Sequence, residues 1–300
     1  MKISVCLKEV IDSSLNIGFG YVSPALLQKG LPHRLNPHDE VALSLAFSIK
    51  NKNPETEVSA IAIGPQRIEH LLKDTIAMGV DNAMRIIEEG VNNLSSRLKA
   101  LMLARAISRY GADLILCGAR SMDNASGRTG PLIAAMLGLP CICGVLDFQT
   151  VQGKNSIIAT RNLSKGTRER VECPLPAVLA IEEQDITLPY ASTDKLIESY
   201  KSKIIGVTID ELSITQKELD SDPQHVTGFS FPRPRPKKVD TPSSRLPAFD
   251  RILALLEGGI AKRRGEIIKG DAAELVTLLF ELLIREEVIK PAISSEPIDK

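Results

Sequence analysis

Short apolar runs alternate with helical apolar stripes along the first half of the chain. Residues 3–7, 58–63, 83–87 and 113–117 are brief apolar runs flanked by charge or turn residues, the pattern of strands buried on both faces. Asn36, Pro37, Asp39 and Glu40 open a helix whose apolar face is Val41, Ala42, Leu45, Ala46 and Ile49, with Asn36 expected as its cap. A second helix carries Ile68, Leu71, Leu72, Thr75 and Ile76 and stops at Gly79. A third carries Leu94, Leu98, Leu101 and Met102 and stops at Gly111. Strand–helix–strand alternation of this kind predicts an α/β fold: a doubly wound, Rossmann-like parallel sheet covered on both faces, with right-handed crossovers.

Past residue 145 the rhythm changes. Residues 145–151, 156–162 and 167–172 are strand-like and separated by turn residues, which predicts an antiparallel meander. Pro174 and Pro176 then bracket a return to an apolar strand at 177–181. Residues 185–246 are polar and Pro-rich, including Phe231-Pro232-Arg233-Pro234-Arg235-Pro236, and suggest an extended arm and linker. Leu275, Leu278, Leu279, Leu282 and Leu283 form an amphipathic stripe in a helical C-terminal extension. The expected division is 1–184 as the nucleotide-binding domain, 185–246 as a partner-contacting arm, and 247–300 as a helical appendix.

Composition removes several function classes. Thirty-seven basic and 37 acidic residues give a net charge of zero, so no global field favours nucleic acid or an anionic membrane. Aromatic residues make up 4% of the chain and Trp is absent, so a base-stacking platform is not expected. No apolar stretch reaches membrane-spanning length, and Lys2 leads directly into a strand-like segment with no leader-like run. A cytoplasmic protein without membrane insertion is the expectation. Five cysteines lack the paired spacing of a zinc site and suggest buried reduced thiols.

Three features fall at strand ends, where open parallel sheets collect ligands. The main one runs from Gly118 to Pro131: Asp123, Asn124, Ala125, Ser126, Gly127, Arg128, Thr129 and Gly130 lead from a strand into a helix. Small residues admit an anion, hydroxyls donate to it, the helix N-terminus stabilises it, and Arg128 adds a guanidinium. An ordinary helix-capping loop has the same pattern, since neither a Walker A loop nor G-x-G-x-x-G is present. Placement after the fourth strand tilts the balance toward a phosphate cradle. The other two features are Gly64-Pro65, which a plain turn also explains, and Asn36-Pro37-His38-Asp39, in which His38 reads as a solvated first-turn residue. No metal spacing among the four histidines and no nucleophile motif nominates a catalytic residue, so a carrier or binding subunit is expected, with no enzyme activity of its own.

Several segments together resemble the beta subunit of electron transfer flavoprotein. They are Val5-Cys6-Leu7-Lys8-Glu9-Val10, Leu35-Asn36-Pro37-His38-Asp39-Glu40, Ala77-Met78-Gly79-Val80-Asp81, Ala112 to Gly118, the loop at 123–130 and Pro174-Leu175-Pro176-Ala177-Val178. The resemblance implies a heterodimer with an alpha subunit, carrying electrons from acyl-CoA-type dehydrogenases toward a quinone-linked acceptor. It implies an FAD held mainly by the alpha subunit, and an AMP held by the beta subunit through Cys6, Asn36, Pro37, His38, Asp39, Ile63 and the loop from Asp123 to Gly130. Bifurcating relatives imply an alternative, a second FAD in that place with NADH docking nearby. A stand-alone adenine-nucleotide-binding regulator is a third reading, from a different class.

The chain departs from the family pattern in three ways. Arg128 stands where the family loop usually has Gln. Thr193 stands at the leucine position of the family's dehydrogenase-anchoring loop, and most of the lysine run that follows is missing. The helical segment at the C-terminus is extra to the resemblance.

Overall fold

The computed structural model describes residues 1–14, 31–91, 94–151, 153–186, 188–220, 242–243, 245–256, 269–286 and 288. It separates into two compact units, Met1–Pro232 and Arg233–Lys300. The Pro-rich run at 231–238 lies outside the described residues.

In the first unit the chain runs β1 (Lys2–Leu7), β2 (Glu9–Ile11), β3 (His33–Leu35), α1 (Pro37–Lys52), β4 (Glu57–Gly64), α2 (Ile68–Met78), β5 (Asn82–Ile87), α3 (Ser96–Tyr110), β6 (Leu114–Gly118), α4 (Thr129–Leu137), β7 (Cys141–Thr150), β8 (Ser156–Asn162), β9 (Arg168–Pro174), β10 (Ala177–Ile181), α5 (Thr193–Lys201), β11 (Ile205–Val207) and α6 (Gln216–Asp220). One nine-stranded sheet has the order β11-β5-β4-β1-β6-β10-β7-β8-β9. Pairing is parallel from β11 through β7 and antiparallel across β8 and β9. The fold is therefore the mixed α/β, mostly parallel sheet expected from the alternation of patterns.

The strands form because their apolar runs are buried on both faces. Val5, Val58, Ala60, Leu114, Ile115, Leu116 and Val178 are all fully buried. Two apolar layers flank the sheet. Val41, Leu43 and Ala46 of α1 and Ile68 and Leu72 of α2 fill one; Met102 and Ile107 of α3 and Ile133 and Ala134 of α4 fill the other. Glycine ends the helices where the pattern predicts: Gly79 after α2 and Gly111 after α3 both have positive φ. Asp81, just beyond the first of these, accepts from the backbone N–H of Val58 at 2.8 Å and pairs with Lys50 of α1 at 2.6 Å. It fixes the start of β4 against both neighbours.

Four local differences from the sequence reading have physical reasons. The third helix starts at Ser96, two residues later than its apolar pattern. The Ser95 side chain caps it by accepting from the N–H of Leu98 at 3.1 Å. β7 begins at Cys141, ahead of the expected 145, because its first half pairs with β10 before its second half opens the meander. β2 and β3 form a small antiparallel ladder, too short at three residues each to show a period. Finally, residues 193–220 correct the expected extended arm. α5 packs on α2, with Tyr200 accepting at its carbonyl from Lys73 at 3.2 Å, and β11 extends the main sheet beside β5. Their polar sequence hid them: α5 buries only Ser199 fully, and a three-residue strand containing Gly206 carries no alternation.

In the second unit, α7 (Ala248–Leu256) and α8 (Ala272–Arg285) are the regular elements among the described residues. Asp271 caps α8 by accepting from the N–H of Ala273 at 3.1 Å. The leucine stripe falls on this helix as expected, and Leu278, Leu279 and Leu282 are exposed. No helix among the described residues is long and apolar enough to cross a membrane.

Candidate functional site

The chain winds from β1 to β4 and β5 on one side of the sheet centre, then returns to β6 on the other side of β1. At this reversal the first residues after neighbouring strands diverge and leave a crevice at their carboxyl ends. A cavity of about 530 Å³ lies there, within the range of small-molecule sites.

Its frame is built by two side chains at the start of α1, Asn36 just before the helix and Asp39 in its first turn. Asp39 is buried, and its two oxygens accept from the backbone N–H groups of Gly118 at 2.9 Å and Lys8 at 2.8 Å. It thus ties the ends of β6 and β1 to one carboxylate. Asn36 donates through Nδ2 to the Arg120 carbonyl at 3.0 Å and to Asp39 at 3.2 Å, and accepts at Oδ1 from the Met122 N–H at 3.0 Å. This corrects the capping expectation. The Asn36 side chain makes no cap hydrogen bond to α1 and instead anchors the loop after β6. Burial pushes the Asp39 carboxyl up to about 7, against the lowering effect of the hydrogen bonds from Asn36, Lys8 and Gly118.

Cys6 and Cys117 are register partners on β1 and β6 and form part of the cavity floor. Burial, reinforced by Asp39, pushes the Cys6 thiol up to about 12, and burial raises Cys117 as well. Both are neutral thiols. The loop after β6 supplies the rim. Asp123 is held by the Lys8 ammonium at 2.6 and 2.5 Å. Its burial raises the carboxyl, but the bonds from Lys8 and Ser121 outweigh that and hold it below the usual carboxylate range. Ser126 Oγ lies 3.3 Å from Ser96 Oγ of α3. Gly127 has φ +62, a conformation only glycine adopts without strain, and it turns the chain into α4. Thr129 and Gly130 begin that nine-residue helix, whose first N–H groups have no intrahelical acceptor.

Among the residues expected from sequence, Cys6, Asn36, Asp39, Ile63, Asp123, Asn124, Ser126, Gly127 and Thr129 line this one cavity. Pro37, His38, Ala125, Arg128 and Gly130 stand outside its lining. Pro37 starts α1. Gly130, in the first turn of α4, packs on β6, where an added Cβ would sit 2.7 Å from Cys117 Sγ. His38 is buried, which corrects the solvated reading; its Nε2 lies 3.7 Å from Glu183. The Arg128 side chain is exposed.

Pro65, singled out at the end of β4, lines the cavity too, while sequence reasoning missed Lys8, Arg67, Ser96 and Lys99, all of which line it. Lys8 follows β1 directly, so the strand-end rule contained its signal. Ser96 and Lys99 reach the site only because α3 packs across the far layer, a relationship no local pattern carries. Lys99 is more than half-buried; burial and then the charge of Lys8 lower its ammonium from the ordinary value. Among the described residues, no group of three His, Cys, Asp or Glu side chains is arranged to hold a metal ion.

The fold and this strand-end cavity define a doubly wound α/β protein with its site at the reversal of strand order. Residues 25–204 match the family model described as the electron transfer flavoprotein domain, and the chain belongs to that family. An electron transfer flavoprotein subunit beta from Thermoanaerobacterium thermosaccharolyticum is 28% identical over 293 residues, covering 96% of this chain and all of the relative. The caffeyl-CoA reductase-Etf complex subunit CarD from Acetobacterium woodii is 29% identical over 236 residues, covering 77% of this chain and 88% of the relative. A subunit beta from Clostridium acetobutylicum is 27% identical over 220 residues, covering 73% and 83%. These relatives put the chain in the beta-subunit branch of a family whose role is electron transfer. The alignment with the first of them spans 96% of this chain, so most of the segment after residue 246 has a counterpart in that relative.

Proposed function

We propose that the chain is the beta-type subunit of a two-chain electron transfer flavoprotein and holds an AMP in the strand-end cavity. The carrying observation is the convergence of Asn36, Asp39, Ser126, Gly127 and Thr129 on one cavity at the reversal of strand order. The residues fit a nucleoside monophosphate. The start of α4 offers N–H groups and the positive end of the helix dipole to a phosphate. Ser126 and Thr129 offer hydroxyls, and Lys8 and Lys99 supply positive charge nearby. Cys6 and Ile63 give the apolar surface on which a base can rest. In this reading AMP is a holding group, and a flavin shared with an alpha subunit supplies the one-electron and two-electron redox chemistry. The proteins that donate and accept electrons are a dehydrogenase and a quinone-linked acceptor, and the protein works in the cytoplasm.

Chromatography of the nucleotides released by denaturing the purified complex tests this. One FAD and one AMP per pair of chains is the expected result. Two FADs would replace AMP with a second flavin, and a lone chain carrying ATP would overturn the carrier reading.

A further inference from the structure

A pair of thiols lies apart from the nucleotide cavity. Cys141 and Cys143 open β7 two residues apart, so the alternation of the strand turns both to one face while Ile142 enters the opposite layer. On their face Cys141 packs against the layer beneath α3 and α4, and Cys143 is exposed. Their Sγ atoms are 3.9 Å apart.

The two sulfurs are unequal. The hydrogen bond between the two thiols, and then the positive charge of Arg161, lowers the Cys143 thiol against the effect of its burial. The same hydrogen bond raises Cys141. Arg161 reaches this point from β8, where it pairs with Val145 in register and with Glu169 at 2.6 Å. Such asymmetry separates an attacking thiolate from a resolving thiol. The backbone is also adapted here. Gly144 has φ +73, and the register of β7 against β10 shifts between Ala180 and Ile181. A bulge of this kind lets the sulfurs close from 3.9 Å to a bonded separation of about 2.05 Å. A ring this small is strained, and strained disulfides are the readily reduced ones.

We propose that Cys143 and Cys141 form a reversible thiol–disulfide exchange site for low-molecular-weight disulfides of the glutathione class. The Cys143 thiolate attacks one sulfur of the disulfide, whose S–S bond breaks. One thiolate leaves and takes a proton from solvent, and a mixed disulfide remains on Cys143. Cys141 then gives up its proton and attacks the Cys143 sulfur, expelling the second thiolate, which is protonated in turn. Two electrons pass from the cysteine pair to the small disulfide, which ends as two thiols. The chain loses two hydrogens and gains one internal bond.

Oxidised glutathione and iodoacetamide are the probes, applied to the full chain as it purifies, alone and with its partner subunit. With iodoacetamide at neutral pH, Cys143 is expected to label at least about tenfold faster than buried Cys6, Cys117 and Cys173, which serve as internal controls. With oxidised glutathione, peptide mapping is expected to find a Cys141–Cys143 disulfide that dithiothreitol reverses. C141S is expected to stop at a glutathione adduct on Cys143, and C143S to form neither product. Labelling of Cys143 no faster than of the buried cysteines would overturn the proposal. So would the absence of the internal disulfide in the unmodified protein, or protection of Cys143 in the complex. The wild-type measurements decide the matter even if either variant folds poorly.

Discussion

Asp39 and Gly118 meet so closely that neither position tolerates much else: the carboxylate accepts from the Gly118 N–H at 2.9 Å, and a Cβ at Gly118 would fall 2.3 Å from Asp39 Oδ1. The same added atom would sit 2.7 Å from His38 Cβ. Gly118 is therefore glycine for close approach and not for an unusual φ. It allows α1 to dock its first turn against the end of β6, which brings Asn36 within reach of the loop that forms the cavity rim.

Gly118→Ala tests that relationship directly. The clash involves a buried first turn and a buried carboxylate, so relaxation is costly, and a loss of about 2–4 kcal/mol is expected. Urea denaturation should show a lowered midpoint with an unchanged slope. Nucleotide content of the purified complex should fall with it, because the loop at 120–122 loses its anchor. A midpoint within experimental error of the wild type would mean that α1 and β6 are not held in this register.

The pH dependence of stability follows from Asp39. Its folded carboxyl is raised to about 7 from an ordinary 3.8, with burial as the main cause. Between those values the folded state binds a proton that the unfolded state has released, so unfolding becomes easier as pH rises through this window. Asp39→Asn removes the titration. It also leaves an amide where the Lys8 and Gly118 N–H groups need two acceptors, so the variant is expected to be less stable at pH 4 by about 1–3 kcal/mol. Its urea midpoint should nonetheless decline less between pH 4 and 7 than that of the wild type. Parallel pH profiles for the two proteins would remove Asp39 as the source of the slope.

Much of this arrangement is legible in the amino-acid sequence, and the part that is not has a common cause. Strand burial and helix stripes are local properties, so β1, β4, β5, β6 and β10 are legible from short apolar runs. The loop from Asp123 to Gly130 is legible for the same reason, since small residues and hydroxyls ahead of a helix are a contiguous signal. Asn36 and Asp39 are legible as site residues, but the local capping rule assigns the Asn36 side chain to α1. Their actual partners, Gly118, Arg120 and Met122, are some eighty positions away. Lys99 and Ser96 escape notice on the same ground. β11 and α5 escape on another: they are stabilised by neighbours already in place, α2 and β5, and need little apolar signal of their own.

The cavity's cations are expected to divide sharply by position. Lys99 lines the cavity and is partly desolvated, so under the proposed function the phosphate of the nucleotide is expected to be its counter-ion. Removing one charge-assisted bond costs about 1.5–3 kcal/mol, so Lys99→Gln is expected to weaken retention of the nucleotide at least about tenfold. The Arg128 side chain is exposed and outside the lining, so Arg128→Gln is expected to change retention less than about twofold, a screened surface effect. Dialysis of the complex followed by nucleotide quantification compares the two. Equal losses, or a larger loss from Arg128→Gln, would relocate the phosphate away from Lys99.

Gly130 and Cys117 offer a final check on how α4 sits over the sheet. An added Cβ at Gly130 would lie 2.7 Å from Cys117 Sγ and 3.4 Å from Ala180 Cβ. Gly130→Ala therefore forces α4 off β6 and is expected to cost about 1–3 kcal/mol. The close neighbour is a single sulfur, so Cys117→Ala removes the obstacle while opening only a small void. In the double variant the new methyl occupies the space the sulfur leaves, and the two substitutions are expected to be non-additive, with a coupling of about 0.5–3 kcal/mol in favour of the pair. Urea midpoints of the wild type, both single variants and the double variant complete the cycle. Strict additivity would mean that the penalty of Gly130→Ala arises elsewhere, for instance from Ala180, and that α4 does not rest on Cys117.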